Sequence, residues 1–155
     1  MTIEHIFVYG TLKTSQIRES CWPSKPLSVR PAWTRGQLYD LGPDPAMILP
    51  ESTSPLDRVA GEVWTYSVEH LPLVLHVLDQ IEVTNQPGEP NEYNRQLVDV
   101  FLIETTAQFD REPSPIQAHT YIFAHQEQLL AAQRVQPTLH SSANMWMMSW
   151  PTAHC

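Results

Sequence analysis

Ile6-Phe7-Val8-Tyr9-Gly10-Thr11-Leu12 stands near the start of the chain. Ile6, Phe7 and Val8 favour extended backbone, so a strand is predicted over residues 3–9, with Gly10 stopping it. Where strand pairing stops, the next amides lose their ladder partners. A Gly-Thr turn at that point can form a concave nest of N–H groups that suits an anion such as a carboxylate. Gly10 lets the backbone approach a neighbour or a ligand closely. Strand-glycine turns are common, so this stretch alone marks a buried first strand more firmly than it marks a site.

Working outward, the same alternation recurs. A strand is predicted over residues 32–41, carrying Trp33, Leu38 and Tyr39 and ended by Gly42-Pro43-Asp44-Pro45. After a short extended piece at 46–49, residues 58–66 alternate Val59, Gly61, Val63 and Thr65 against Ala60, Glu62, Trp64 and Tyr66. Leu71, Val74, Leu75, Leu78 and Ile81 then fall at helical spacing. This predicts a helix over 71–81 with Pro72 in its first turn, where a missing N–H costs nothing. Strands are expected again at 94–103 and 116–123, joined as a long hairpin, and a short helix at 126–134. Residues 13–31 and 83–92 read as proline-bearing loops. With 14 prolines in 155 residues, long helices and deep inner strands are disfavoured, and short elements with rigid connections are expected.

The chain carries 9 Lys and Arg against 17 Asp and Glu, a formal net charge of −8. Such a surface repels phosphate backbones and anionic lipid, which argues against nucleic-acid and membrane partners. The longest apolar run, near residues 71–78, is far short of a membrane span and is broken by Pro72 and His76. Two cysteines, Cys21 and Cys155, make no disulfide framework, and no secretory leader is recognisable, so a cytoplasmic protein is expected. One domain over 1–134 is expected. A tail at 135–155, rich in Met145, Trp146, Met147, Met148 and Trp150, would pack on the core or form an oligomer contact, leaving monomer and homodimer both open.

Three further patterns bear on chemistry. In Leu78-Asp79-Gln80-Ile81-Glu82, Glu82 falls at or just past the last helical turn, where unpaired carbonyls disfavour a carboxylate and raise its proton affinity; Asp79 is its rival. In Glu92-Tyr93-Asn94-Arg95, Arg95 is one of few cations and is expected to meet a carboxylate in fixed geometry. Tyr93 and Tyr121 each join an apolar body to a hydroxyl that seeks a partner when buried. His70, His76, His119 and His125 lack metal-ligand spacing, Cys21 lacks a nucleophile signature, and no glycine-rich phosphate loop exists. No metal or cofactor is expected.

Taken together, Phe7-Val8-Tyr9-Gly10-Thr11-Leu12-Lys13, Gly36-Gln37-Leu38-Tyr39-Asp40-Leu41-Gly42 with Pro45-Ala46, Val59-Ala60-Gly61-Glu62-Val63-Trp64, Leu78-Asp79-Gln80-Ile81-Glu82, Tyr93-Asn94-Arg95 and Ala118-His119-Thr120-Tyr121 resemble the gamma-glutamylcyclotransferase-like family. That family includes gamma-glutamylamine cyclotransferases and avirulence-induced-gene-like proteins. The resemblance implies an α+β fold, a small mixed β-barrel flanked by short helices, with a cavity at one end. It implies an enzyme releasing 5-oxoproline from a small gamma-glutamyl amine or peptide by attack of the substrate's own α-amine. Glu82 would be the catalytic acid/base, Tyr9, Gly10, Thr11 and Leu12 the glutamyl-binding turn, Tyr93 and Tyr121 the cavity lining, and Arg95 a support. Where the family commonly places Gly after this glutamate, Val83 stands here. That departure favours an alternative, a non-catalytic small-molecule-binding module of the same fold; a third reading makes the Met/Trp tail an interaction surface.

Overall fold

The computed structural model describes residues 2–49, 54, 56–103, 114–140 and 145–151. Its strands are β1 (Ile3–Val8), β2 (Ser28–Arg35), β3 (Gln37–Asp40), β4 (Pro45–Ile48), β5 (Arg58–Ser67), β6 (Tyr93–Leu102), β7 (Ile116–Phe123), β8 (Thr138–His140) and β9 (Met145–Met147), with one α-helix, α1 (Leu71–Ile81), between β5 and β6. Five strands close a barrel in the order β1-β5-β2-β6-β7. Every neighbouring pair is antiparallel except the closing one, where β7 meets β1 in parallel with Ile6 opposite His119. The molecule is therefore the α+β mixed barrel that the resemblance implied.

The central wall is β5, which pairs with β1 on one side and β2 on the other. Gly61 of β5 is crossed closely by the end of β1. A Cβ there would lie 2.3 Å from the Val8 carbonyl oxygen and 2.7 Å from Phe7 Cζ, so no larger residue fits without moving the end of β1. Below the barrel mouth, Leu71, Val74 and Leu78 of α1 are buried against Ile6, Val8, Trp64, Tyr66 and Tyr121. At roughly 1.5–3 kcal/mol for each fully buried aliphatic side chain, this stripe fixes the helix on the barrel. Pro72 lies in the first turn, as its missing N–H requires.

Two expectations are corrected. Residues 32–41 are not one strand. β2 starts at Ser28 and ends at Arg35, and after Gly36 the chain turns away to pair β3 with β4 as a separate hairpin. Pro31 is tolerated inside β2 because its carbonyl, and hence its missing N–H, faces β6 only where that strand ends; Ile103 N–H meets the Pro31 carbonyl at 3.0 Å. Residues 126–134 form two single 3₁₀ turns, Gln126–Gln128 and Ala131–Gln133, separated by extended backbone. Leu130 there is exposed, so no apolar stripe exists to hold a longer helix. In the connection of the hairpin expected between 94–103 and 116–123, residues 104–113 lie outside the described residues.

The tail runs back along the barrel. Met147 and Met148 are fully buried, and Met148 exchanges backbone hydrogen bonds with Arg58 and Ala60 of β5 (both 2.8 Å). Lys13, just after the first turn, donates to the carbonyl of Trp150. No helix among the described residues is long and apolar enough to cross a membrane.

Candidate active site

At one end of the barrel β1 runs out into a turn in which Lys13 N–H closes on the Gly10 carbonyl (3.1 Å). Gly10, Thr11 and Leu12 are all buried, yet their own N–H groups meet no acceptor among the described residues. Buried amides are rarely left so. Gly10 is required here by close approach. A Cβ would fall 2.7 Å from Pro45 Cγ, because the β3–β4 hairpin packs directly on the turn.

Opposite the turn stands the end of α1. Glu82 is the C-cap; its N–H bonds the Leu78 carbonyl at 2.9 Å. Val83 follows with φ +52°, Val83 N–H lies 3.4 Å from the Gln80 carbonyl, and Thr84 N–H reaches back to the Asp79 carbonyl at 2.8 Å. This is a Schellman ending, whose first residue beyond the cap must be left-handed. Gly adopts that conformation freely and a β-branched side chain does so only under strain. Val83 nevertheless takes it, so the helix end keeps its geometry and Glu82 its direction.

Turn and carboxylate share one narrow cleft, lined by Phe7, Val8, Tyr9, Gly10, Thr11, Leu12, Asp44, Pro45, Glu82, Tyr93 and Tyr121. Glu82 keeps part of its surface open to the cleft while protein atoms surround its carboxyl group. Burial pushes its pKa up to about 7, Asp44 and Glu92 add to the rise, and Arg18 opposes it. The largest cause is thus one that only folding supplies.

The tyrosines serve as struts. Tyr93 Oη donates to the Pro45 carbonyl (2.7 Å), tying β6 to the hairpin. Tyr9 Oη donates to the Tyr121 carbonyl, and Tyr121 Oη donates to Asp79 Oδ1 (2.7 Å). Burial raises all three above the ordinary tyrosine range, so they remain protonated donors. Asp79, the rival carboxylate, is also held in two bonds by Arg95, Nε to Oδ1 at 2.9 Å and Nη2 to Oδ2 at 3.3 Å. Asp79 is occupied on both oxygens; Glu82 has no such partner among the described residues. Arg95 does not line the cleft; it stands behind it, paired with Asp79.

Of the residues singled out from sequence, Tyr9, Gly10, Thr11, Leu12, Glu82, Tyr93 and Tyr121 come together in the cleft, and Arg95 stands behind it. Sequence reasoning missed Asp44, which lines the cleft, and Arg18, which binds it at 2.8 Å. The only signal was the Gly42-Pro43-Asp44-Pro45 turn, read purely as a chain reversal. Among the described residues no group of three His, Cys, Asp or Glu is placed to hold a metal ion.

A family model described as "Gamma-glutamyl cyclotransferase, AIG2-like" matches residues 6–146. The chain belongs to this family. The match extends past the barrel strands to Trp146 in β9. Solved structures agree on the fold. A mouse AIG2-like protein is 21% identical with a TM-score of 0.57, the match covering 86% of this chain and 83% of that one. YkqA from Bacillus subtilis is 21% identical with a TM-score of 0.55, covering 79% of this chain. A yeast gamma-glutamyl cyclotransferase specific to glutathione is 16% identical with a TM-score of 0.55, covering 81% and 71%. The match spans only 36% of the length of YkqA. No curated protein matches the chain. At these identities the likeness establishes the cyclotransferase fold, and the chemistry rests on the cleft.

Proposed function

We propose that this member of the cyclotransferase family releases 5-oxoproline from a small gamma-glutamyl amine or gamma-glutamyl peptide. The observation that carries the reading is that Glu82 and the turn at residues 9–12 line one cleft. In this reading the free amides of the turn hold the substrate's α-carboxylate, and the α-amine faces Glu82. The α-ammonium gives a proton to the Glu82 carboxylate, and the amine so formed attacks the γ-carbonyl carbon, forming the ring C–N bond. Glu82 returns that proton to the leaving nitrogen as the amide C–N bond breaks, then carries the second proton, shed by the ring nitrogen, to the departed amine. The products are 5-oxoproline and the ammonium form of the leaving amine, and Glu82 ends as it began.

Energetics favour this assignment. An α-ammonium near 7.7–8.0 and an ordinary Glu near 4.3 are mismatched by roughly 5 kcal/mol for proton transfer. A carboxylate at about 7 leaves a gap of only about 1 kcal/mol. Nucleophile and electrophile belong to one molecule, so most of the acceleration is positional, and effective molarities of ~10⁵ M or more are available. Tyr93 and Tyr121 keep the walls in place, and Arg95 supports them by holding Asp79.

The binding-module alternative rested on Val83. Because Val83 adopts the left-handed turn, no observation now favours that alternative. The test is 5-oxoproline release from gamma-glutamyl amides. Glu82→Gln is expected to cut kcat/KM by roughly 10²–10⁴, and turnover of the intact chain should fall as pH drops below about 7. Undiminished release by Glu82→Gln would remove Glu82 from the chemistry.

A further inference from the structure

Asp44 is the one other carboxylate among the residues that line the cleft. It lies in the turn between β3 and β4, where its carbonyl accepts the Leu41 N–H (3.1 Å) and fixes the reversal. Its side chain is held from behind. Arg18 Nη1 binds Asp44 Oδ1 at 2.8 Å and also reaches Thr11 Oγ1 at 3.3 Å, while Arg18 N–H bonds the Thr11 carbonyl at 2.8 Å. Arg18 thus ties the hairpin carboxylate to the 9–12 turn. Asp44 Oδ2 accepts no hydrogen bond among the described residues.

We propose that Asp44 is a specificity-determining residue that binds the α-ammonium of the substrate, with Arg18 positioning it. This rests on the cyclotransferase reading. An amino-acid head carries a carboxylate and an ammonium on the same carbon. If the carboxylate sits in the turn amides, the ammonium lies one carbon away, inside the cleft that Asp44 lines with Thr11 and Pro45. A carboxylate at the cleft wall receives the charged amine on arrival, while Glu82 is left to take its proton. The reaction itself needs a free α-amino group; Asp44 makes binding select for it too, because N-acylated or deaminated gamma-amides leave Asp44 facing the cleft without a cation.

The test uses the full chain carrying Glu82→Gln, so that ligand is bound and not consumed. L-glutamine, the simplest gamma-glutamyl amide, is compared by calorimetry with glutaramate, the same molecule without its α-amine. With Asp44 intact, L-glutamine is expected to bind roughly ten-fold or more tightly than glutaramate, as a charge-assisted hydrogen bond allows. Adding Asp44→Asn should erase that preference while leaving glutaramate affinity in place, and Asp44→Glu should restore part of it. An Asp44→Asn chain that still prefers L-glutamine, or one that weakens both ligands equally, overturns the assignment. Release of 5-oxoproline by the unaltered chain tests the parent reading separately, so either can fail alone.

Discussion

Glu82 makes a prediction that needs no substrate. Its carboxyl is moved from an ordinary 4.5 up to about 7 on folding, mainly by burial. A raised carboxylate pKa means that the folded state holds the proton more tightly than the unfolded one. Between pH 4.5 and about 7 the native chain therefore binds more protons, and stability falls as pH rises through this window. At roughly 1.4 kcal/mol per pH unit, the gap amounts to about 3 kcal/mol, absent below pH 4.5 and complete above about pH 7.5. Glu82→Gln removes the titration and keeps the shape. Urea unfolding of both chains at pH 4.5, 6, 7 and 8 should show the Gln chain gaining about 3 kcal/mol on the Glu chain across the series. Other titrating groups cancel in the difference. A difference that stays flat with pH would refute the claim that folding strips water from this carboxyl group, and with it the energetic argument for a base.

Val83→Gly removes a β-branched side chain from φ +52°; relief of roughly 1–2 kcal/mol less glycine's entropic cost of roughly 0.5–1 should raise stability by about 1 kcal/mol in denaturant titration. Gly10→Ala places a methyl 2.7 Å from the Pro45 ring and should destabilise by roughly 1–3 kcal/mol while weakening L-glutamine binding, because the hairpin must lift off the turn. Tyr121→Phe deletes the hydroxyl bond to Asp79 at the cleft wall and should lower stability by roughly 1–3 kcal/mol, read by thermal unfolding.

The barrel strands were legible because their signals are local. The β-formers of residues 58–66 mark extended backbone, and the stripe from Leu71 to Ile81 marks the face that the helix buries through Leu71, Val74 and Leu78. The break at Gly36 was not, since the residues on both sides of it favour extended backbone and the two strands part only in which strand each pairs with. The helix expected at 126–134 failed for a related reason. Leu129, Leu130, Ala131 and Ala132 have helical propensity, but of the four only Leu129 packs against the core, and propensity alone does not hold a short helix. At the site, the Gly10 turn and the Glu82 cap could be read because turns and caps are short-range. That they look across one cleft depends on α1 docking under β1 through Val74 and Leu78, a long-range fact. Asp44 escaped because nothing local distinguishes an aspartate that shapes a turn from one that also lines a pocket.

The ring closes where β7 lies beside β1, with Ile6 opposite His119. On a ribosome, the first strand must wait with one edge bare until more than a hundred further residues have been made. Such distant pairing is slow to form and leaves an adhesive edge on show meanwhile. The cleft draws its walls from β1, the β3–β4 turn, α1, β6 and β7, so it comes into being only with that last seam. Any small molecule that fits it would therefore act as a clasp on the whole barrel, and should suppress misassembly as readily as it occupies the site.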